Sequence, residues 1–148
     1  MPITGLWPTS VHIAQLNAAG LSRIAANPEL LPDLLPTEHP GHRLGFKSHI
    51  ERWEGGFHAG LRHGSGTWCT LLVLESHPEG ASHHSGAVIV HDPRSGAANV
   101  GLPGLPWGRP LTLPTRVGLL AVLPGWLAWQ VAPVRADEHR TVLIADSS

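Results

Sequence analysis

The sequence predicts a mainly β protein, a sandwich or barrel with one helix packed on a face. A helix-like segment near the N-terminus and a series of short apolar runs after residue 67 are the observations that predict it. The runs are bounded by Gly, Pro, Ser or Asp, and their length and β-branched content favour strands over helices. They are Trp68–Leu74, Ala87–His91, Val117–Leu123, Trp126–Val131 and Arg140–Ala145.

The N-terminal third contains the remaining elements. Ser10–Ala14 resembles a short strand. Apolar residues at helical spacing predict a helix over Ala18–Leu35, which Pro28 breaks or restarts. Residues 36–66 are polar and rich in histidine, so we expect loops with one short helix near Lys47–Trp53. The prediction is therefore a single domain, 1–148, with a strand and helix in 1–35, a loop-rich part in 36–66 and a β core in 67–148.

Composition excludes several classes of function. The chain has 148 residues, one cysteine and a formal net charge of −1, with no basic run. A single cysteine excludes an internal disulfide and a Cys-rich zinc module. A chain without a basic patch does not suit nucleic acid, and the sequence has no apolar run long enough for a membrane span. The first residues lack the pattern of a signal peptide, so we expect a cytoplasmic protein that binds neither nucleic acid nor membrane.

A carboxylate and an imidazole stand close together at the end of the first apolar run. Strict alternation puts Glu75 and His77 on the same face as Cys69, Leu71 and Val73. Two such ligands on one strand are typical of a two-histidine, one-carboxylate iron site. The alternative is that both are solvent-facing polar residues that lead into a loop. The adjacent His83 and His84 follow, and on a regular strand only one of them faces such a site.

Arg140 begins the last apolar run. A buried arginine needs a partner, and its planar fork suits a carboxylate. The alternative is a surface arginine that pairs with Asp137 or Glu138. The segment after 117 is also rich in tryptophan, so Trp126 and Trp129, together with Trp68, are predicted to line an apolar pocket.

Several short motifs follow one another along the chain. They are Leu6–His12, Trp68, Glu75–Pro78, Ser85–Ile89, Asp92–Arg94, Pro124–Pro133 and Arg140. With these motifs in this order, the chain resembles a group of bacterial and phage 2-oxoglutarate- and Fe(II)-dependent oxygenases. The resemblance covers most of the chain, but not residues 36 to about 66.

The resemblance implies a double-stranded β-helix, a jelly roll of the cupin type, with the N-terminal helix on one sheet. It implies that Arg140 binds the distal carboxylate of 2-oxoglutarate and that Glu75 and His77 ligate Fe(II). Trp129 stands where the family has its distal histidine, and an indole nitrogen is a donor that does not bind metal. Either His83, His84 or His91 then supplies the third ligand, or the iron site is lost.

Three functions are compatible with these residues. The first is a divergent oxygenase that oxidises a small molecule of specialised metabolism with Fe(II) and 2-oxoglutarate. The second needs no cofactor: a cyclase, isomerase or dehydratase that uses Glu75 and the histidines His77, His83 and His84 as acid–base groups in the tryptophan pocket. The third is a non-catalytic binding protein, for which an exposed sheet edge predicts a homodimer.

Overall fold

Two antiparallel sheets build the protein. The computed structural model describes residues 9, 11–34, 45–79, 84–93 and 109–147. The five-stranded sheet has the order β1-β7-β4-β9-β2 and the four-stranded sheet the order β3-β8-β5-β6. In chain order the elements are β1 (His12–Gln15), α1 (Ala18–Ala26), a 3-10 helix (Pro28–Leu34), β2 (Phe46–Glu54), β3 (Ala59–Arg62), β4 (Trp68–His77), β5 (Val88–Val90), β6 (Leu111–Leu113), β7 (Leu119–Pro124), β8 (Trp129–Val131) and β9 (His139–Ser147).

The space between the sheets is filled by apolar side chains, which we call the inner cluster. Alternation along β9 sends Val142 and Ile144 inward and Leu143 outward. The opposite sheet contributes Val88 and Trp129. The prediction of a mainly β jelly-roll fold is confirmed.

The helices cover the outer face of the five-stranded sheet. Asn17 caps α1, because its side chain accepts a hydrogen bond from the backbone N–H of Gly20 at 2.8 Å. A second helix begins at Pro28, one of the two predicted outcomes, and it is a 3-10 helix. Ile24 and Leu31 are buried against the outward side chains of the sheet. The predicted packing of a helix on one sheet is therefore present.

The prediction of loops with one short helix is wrong for residues 45–66, the part of this segment that the structure describes. Lys47–Trp53 is not helical but lies within β2, and a second strand, β3, follows it. All nine residues of β2 pair with β9. Only Phe46, Ile50 and Trp53 in β2 are apolar, so the sequence has too weak a period to reveal the strand. Pairing with β9, which is distant in sequence, decides the conformation.

Each of the five predicted apolar runs overlaps a strand. The short strand β6 was not predicted, since it has three residues and lies among prolines. His83, Arg94 and the first eight residues lie outside the described residues. In the described part, no helix has the length and apolar character needed to cross a membrane. A single domain over 1–148 stays a prediction.

Candidate functional site

Arg140 is the second residue of β9, and only 1% of its surface is exposed. A guanidinium has five N–H donors, and here each finds an acceptor in the protein. The group therefore has no N–H left over for a ligand. Nε donates to Thr115 Oγ1 (3.0 Å), Nη1 to the carbonyl oxygens of His77 (3.0 Å) and His139 (2.9 Å), and Nη2 to the carbonyl oxygen of Ser85 (3.2 Å) and to Glu138 Oε2 (2.9 Å).

Glu138 supplies the only charge opposite to that of Arg140 among these acceptors. Its surface is 5% exposed. Burial raises the pKa of its carboxyl group, but hydrogen bonds from Ser85 and Arg140, with the charges of Arg140 and Arg135, outweigh burial and lower the pKa. Glu138 is therefore ionised at neutral pH, and the two residues form a buried ion pair. Removal of one partner from such a pair is strongly destabilising, because it leaves the other charge uncompensated.

Gly86 allows the backbone to reach the arginine. Its φ is +64°, a region that favours glycine, and a Cβ atom there would lie 3.4 Å from Arg140 Cγ and 3.2 Å from Val134 Cγ2. Thr115 completes the arrangement, since its hydroxyl donates to the Gly86 carbonyl oxygen at 3.0 Å and accepts from Arg140. The Ser85-Gly86 pair in the sequence thus positions an acceptor for the guanidinium.

The sequence left two alternatives for Arg140, and the pairing with Glu138 is present in the structure. It differs from the expectation in that the pair is buried. The resemblance assigned the arginine to the distal carboxylate of 2-oxoglutarate, and this assignment stays a prediction. The geometry does not favour it, because Glu138 already provides a carboxylate and the other donors are engaged.

A β-bulge in β4 changes which face Glu75 occupies. Val73 pairs with Val142 of β9, and Glu75 pairs with the next residue, Thr141. Two residues thus advance on β4 while one advances on β9. The extra residue, Leu74, inverts the alternation of side chains beyond it.

Glu75 and His77 consequently lie on the outer face, both exposed. A Glu75 carboxylate oxygen accepts a hydrogen bond from Thr141 Oγ1 at 2.9 Å. The ring of His77 stacks on that of His139, with centroids 5.3 Å apart. The prediction that they share a face with Cys69 is therefore wrong, because strict alternation ends at the bulge. The alternative expectation, two solvent-facing polar residues, is the one the structure contains.

Trp129 lies far from this pair. It is buried in the inner cluster with Cys69, which is near the start of β4. The turn before β8 is held there by a hydrogen bond from the Gly125 N–H to the Thr67 carbonyl oxygen. Glu75 and His77 are six to eight residues further along β4, roughly 20–26 Å at the rise of a strand. The structure does not bring these three predicted positions together.

An ion pair that the sequence did not predict borders Trp129. Arg62 of β3 donates to both carboxylate oxygens of Glu51 in β2, at 2.8 and 2.6 Å. Its guanidinium carbon also lies 4.7 Å from the centroid of Trp129. Trp53 Nε1 donates to Glu51 at 2.8 Å. The alternation of Glu51 and Trp53 was the available signal, but it becomes useful only when β2 is known to be a strand.

The surroundings of Glu51 strongly favour the ionised form of its carboxyl group. The hydrogen bond from Arg62 lowers the pKa of this carboxyl to about 2, against the opposing effect of burial, and Trp53 and His49 contribute to the lowering. The same hydrogen bond raises the pKa of Arg62. Both groups are therefore ionised over the whole neutral range.

The three predicted pocket tryptophans lie in different surroundings. Trp129 belongs to the inner cluster, whereas Trp68 packs on the outer face of the five-stranded sheet, against the cluster that contains Ile24 and Leu31 of the helices. Trp126 is 63% exposed, on the turn between β7 and β8. The prediction that they line one pocket is wrong, because strand alternation and the turn direct them to three separate places.

The remaining predicted histidines do not gather at one site. His84 is exposed on the turn before β5, and His83 lies outside the described residues. The backbone N–H of His91 donates to the Ala128 carbonyl oxygen beside β8. Within the ranges that the structure describes, no group of three His, Cys, Asp or Glu side chains could hold a metal ion. These residues therefore do not fit the predicted Fe(II) site.

Two surface hollows are formed by described residues, and their walls contain no member of the inner cluster. One, of about 340 Å³, lies where β4 ends and is lined by Gln15, Ser76, Glu79, Arg116 and Val117. The other, of about 350 Å³, is lined by Glu54, Gly55, Ala136, Asp137, Glu138 and His139.

Comparison with solved structures defines the fold. A prolyl-4-hydroxylase from Pseudomonas putida superimposes with a TM-score of 0.60 at 14% identity, covering 94% of this chain and 87% of the other. An oxidoreductase of the 2OG-Fe(II) oxygenase family from Burkholderia pseudomallei gives 0.52 at 18% identity, covering 95% and 71%. HygX from Streptomyces hygroscopicus, solved with nickel and 2-oxoglutarate bound, gives 0.52 at 12% identity, covering 95% and 83%.

These identities establish a shared fold and nothing finer. No protein-family model matches the chain, and no curated protein matches it. The chain therefore has the fold of 2-oxoglutarate- and Fe(II)-dependent oxygenases, and its motifs are not confirmed at the level of sequence.

Proposed function

We propose that this chain is a non-catalytic binding protein on an oxygenase-type jelly roll, one that uses neither Fe(II) nor 2-oxoglutarate. The observation that supports it most directly is the saturation of Arg140. Every N–H of its guanidinium is engaged within the protein, and Glu138 provides the carboxylate partner. A 2-oxoglutarate molecule would have to displace a buried, ionised carboxylate from its own chain.

The predicted metal ligands support the same proposal. Glu75 and His77 face outward after the bulge. Trp129 packs in the inner cluster, towards the start of β4, beside the Arg62–Glu51 ion pair. Among the described residues, the space between the sheets is occupied by apolar side chains, which supports binding at the surface of the protein.

Ligand titration of the purified full chain tests the proposal. Fe(II), Ni(II) and 2-oxoglutarate are added anaerobically, alone and together, and followed by calorimetry and thermal unfolding. A ligand present at about 100 times its Kd stabilises the native state by about 2.7 kcal/mol, a shift that thermal unfolding detects readily. HygX, which was solved with nickel and 2-oxoglutarate, serves as the positive control.

We expect no saturable binding of any of the three ligands and no shift of Tm for this chain. Stoichiometric binding of a metal together with 2-oxoglutarate would overturn the proposal and restore the oxygenase prediction. Binding of 2-oxoglutarate alone would also overturn it, because it would show that the ligand displaces the Glu138 carboxylate from Arg140.

A further inference from the structure

Arg140 joins the two strands beyond the β-bulge. Its Nη1 donates to the carbonyl oxygens of His77 in β4 and His139 in β9, and these two residues stand directly opposite each other in the observed register. The residue opposite Arg140 itself is Ser76. One guanidinium therefore holds both strands at the place where the bulge has displaced β4 by one residue.

A second register of the same two strands lacks the bulge. With the pairs before the bulge unchanged, regular pairing places Leu74 opposite Thr141 and Glu75 opposite Arg140. Unbroken alternation then turns the Glu75 side chain to the inner face, where the guanidinium of Arg140 lies. A carboxylate would thus meet the buried cation, and opposite charges on directly opposed residues stabilise neighbouring strands.

The change of register moves only polar side chains to a new face. Leu74 faces outward in both registers and packs against the cluster beneath the helices. The contacts given up lie at the surface: the hydrogen bond of 2.9 Å from Thr141 to Glu75 and the stacking of His77 on His139. The guanidinium also loses one of its five acceptors. The second register therefore costs polar contacts and exposes no apolar side chain.

The structure has space for a larger side chain opposite the guanidinium. Ser76, which stands there now, lines the hollow of about 340 Å³ where β4 ends. In the second register Ser76 turns outward and Glu75 takes its place. The end of β4 advances by one residue, about 3.3 Å, and the connecting segment before Ser85 takes up this length at small entropic cost.

We propose that Glu138 selects the register of β4 by occupying Arg140, and that Glu75 becomes the partner of Arg140 when Glu138 is removed. The observed ion pair is buried, with 2.9 Å between its charged atoms. An unpaired buried charge is costly, so loss of Glu138 populates the second register, and Glu75 and His77 turn inward. The exchange does not restore full stability, because the guanidinium still lacks one acceptor.

The ion pair is thus a conformational device that holds Glu75 and His77 at the surface. This inference is independent of the proposed function, since it concerns which carboxylate of the chain itself pairs with Arg140. It applies whether the protein binds a ligand at its surface or not.

Two pairs of engineered cysteines report the register. Opposed Cα atoms on antiparallel strands are about 4.5–5.5 Å apart, within the range of a disulfide, and the native Cys69 is buried. His77→Cys with His139→Cys, the first pair, is opposed in the observed register. Ser76→Cys with His139→Cys, the second pair, is opposed only in the second register, because Ser76 and His139 now point to different faces. Mass spectrometry after mild oxidation and alkylation counts the remaining thiols.

In the otherwise unchanged chain we expect the first pair to form an internal disulfide and the second pair to stay reduced. In Glu138→Ala the second pair should oxidise and the first should oxidise less. Addition of Glu75→Gln to that variant should abolish oxidation of the second pair, and so should acetate, which supplies Arg140 with another carboxylate. Glu54→Ala removes an exposed carboxylate and is the matched control, which should leave both pairs unchanged.

The proposal is overturned by a second pair that stays reduced in Glu138→Ala, or by one that oxidises equally with and without Glu75→Gln. Glu138→Gln, which keeps the volume of the side chain, carries the same prediction and replaces Glu138→Ala if that variant does not fold. Deletion of Leu74 gives an independent measurement, because it removes the extra residue and keeps Glu75 opposite Thr141. The second pair should then stay reduced even without Glu138, and its oxidation in the deletion would contradict the two registers.

Discussion

Arg140 and Glu138, two residues apart at the start of β9, form an ion pair with 2.9 Å between Nη2 and Oε2, and both side chains are almost completely buried. The pair closes a network that also contains Ser85 and Thr115. A carboxylate from the chain itself thus stands where the resemblance to oxygenases expects a carboxylate from a cosubstrate. This relationship is the main support for the proposal that the protein has the fold of these enzymes without their chemistry.

Glu138→Ala is expected to destabilise the protein by about 3–5 kcal/mol, because it leaves the Arg140 charge buried and unpaired. Urea unfolding at neutral pH measures the loss. We also expect added acetate to restore part of it, since a free carboxylate then fits beside the guanidinium. Glu54→Ala, which removes an exposed partner of Arg52, is the control and should change stability by less than about 1 kcal/mol. An equal effect of both variants would contradict the assignment.

Glu51 makes stability depend on acid pH. Its folded pKa of about 2 lies below the ordinary value of 4.5, so the ionised form stabilises the native state above about pH 4.5. That contribution, roughly 1–2 kcal/mol once solvent screening of this partly exposed ion pair is taken into account, is lost as pH falls from 4.5 towards 2. Urea unfolding across this range should show a steeper loss for the wild type than for Glu51→Gln. Parallel curves would contradict the prediction.

Trp129→His is expected to leave the protein without affinity for Fe(II). The new imidazole would face the inner cluster, while Glu75 and His77 lie on the outer face at the far end of β4. The substitution should also destabilise the core by about 3 kcal/mol, since it removes a buried indole. Anaerobic Fe(II) titration of this variant, with Trp126→His as the exposed control, measures the first effect. A gain of stoichiometric iron by Trp129→His alone would contradict the separation of these residues.

Cys69 is expected to react very slowly with thiol reagents in the native protein. Burial, with the Asp146 carboxylate, raises the pKa of its thiol to about 12, and the thiolate is the reactive form. Ellman's reagent should modify it only after denaturation. Ile13→Cys, with a thiol added at an exposed position of β1, should react at once with one equivalent. Rapid modification of native Cys69 would show that the core opens readily.

The sequence by itself determined the elements that depend on neighbours along the chain. Asn17 caps a helix and Pro28 changes its type, and both effects act within one or two turns. The apolar runs after residue 67 predicted strands for the same reason, because burial of consecutive side chains is visible in local composition. The fold class follows from these elements and their order.

Only the tertiary structure decided which face of a strand each side chain occupies and which distant residues it contacts. Leu74 adds one residue against β9 and turns Glu75 and His77 outward, which no local period reveals. Strand β2 exists because β9 pairs with it across about ninety residues of chain. Arg140 is bound by Thr115 and Ser85, which are 25 and 55 residues away. Such pairings depend on hydrogen bonds between distant segments, and a single inserted residue reverses a side chain, so the candidate site could not be read from spacing alone.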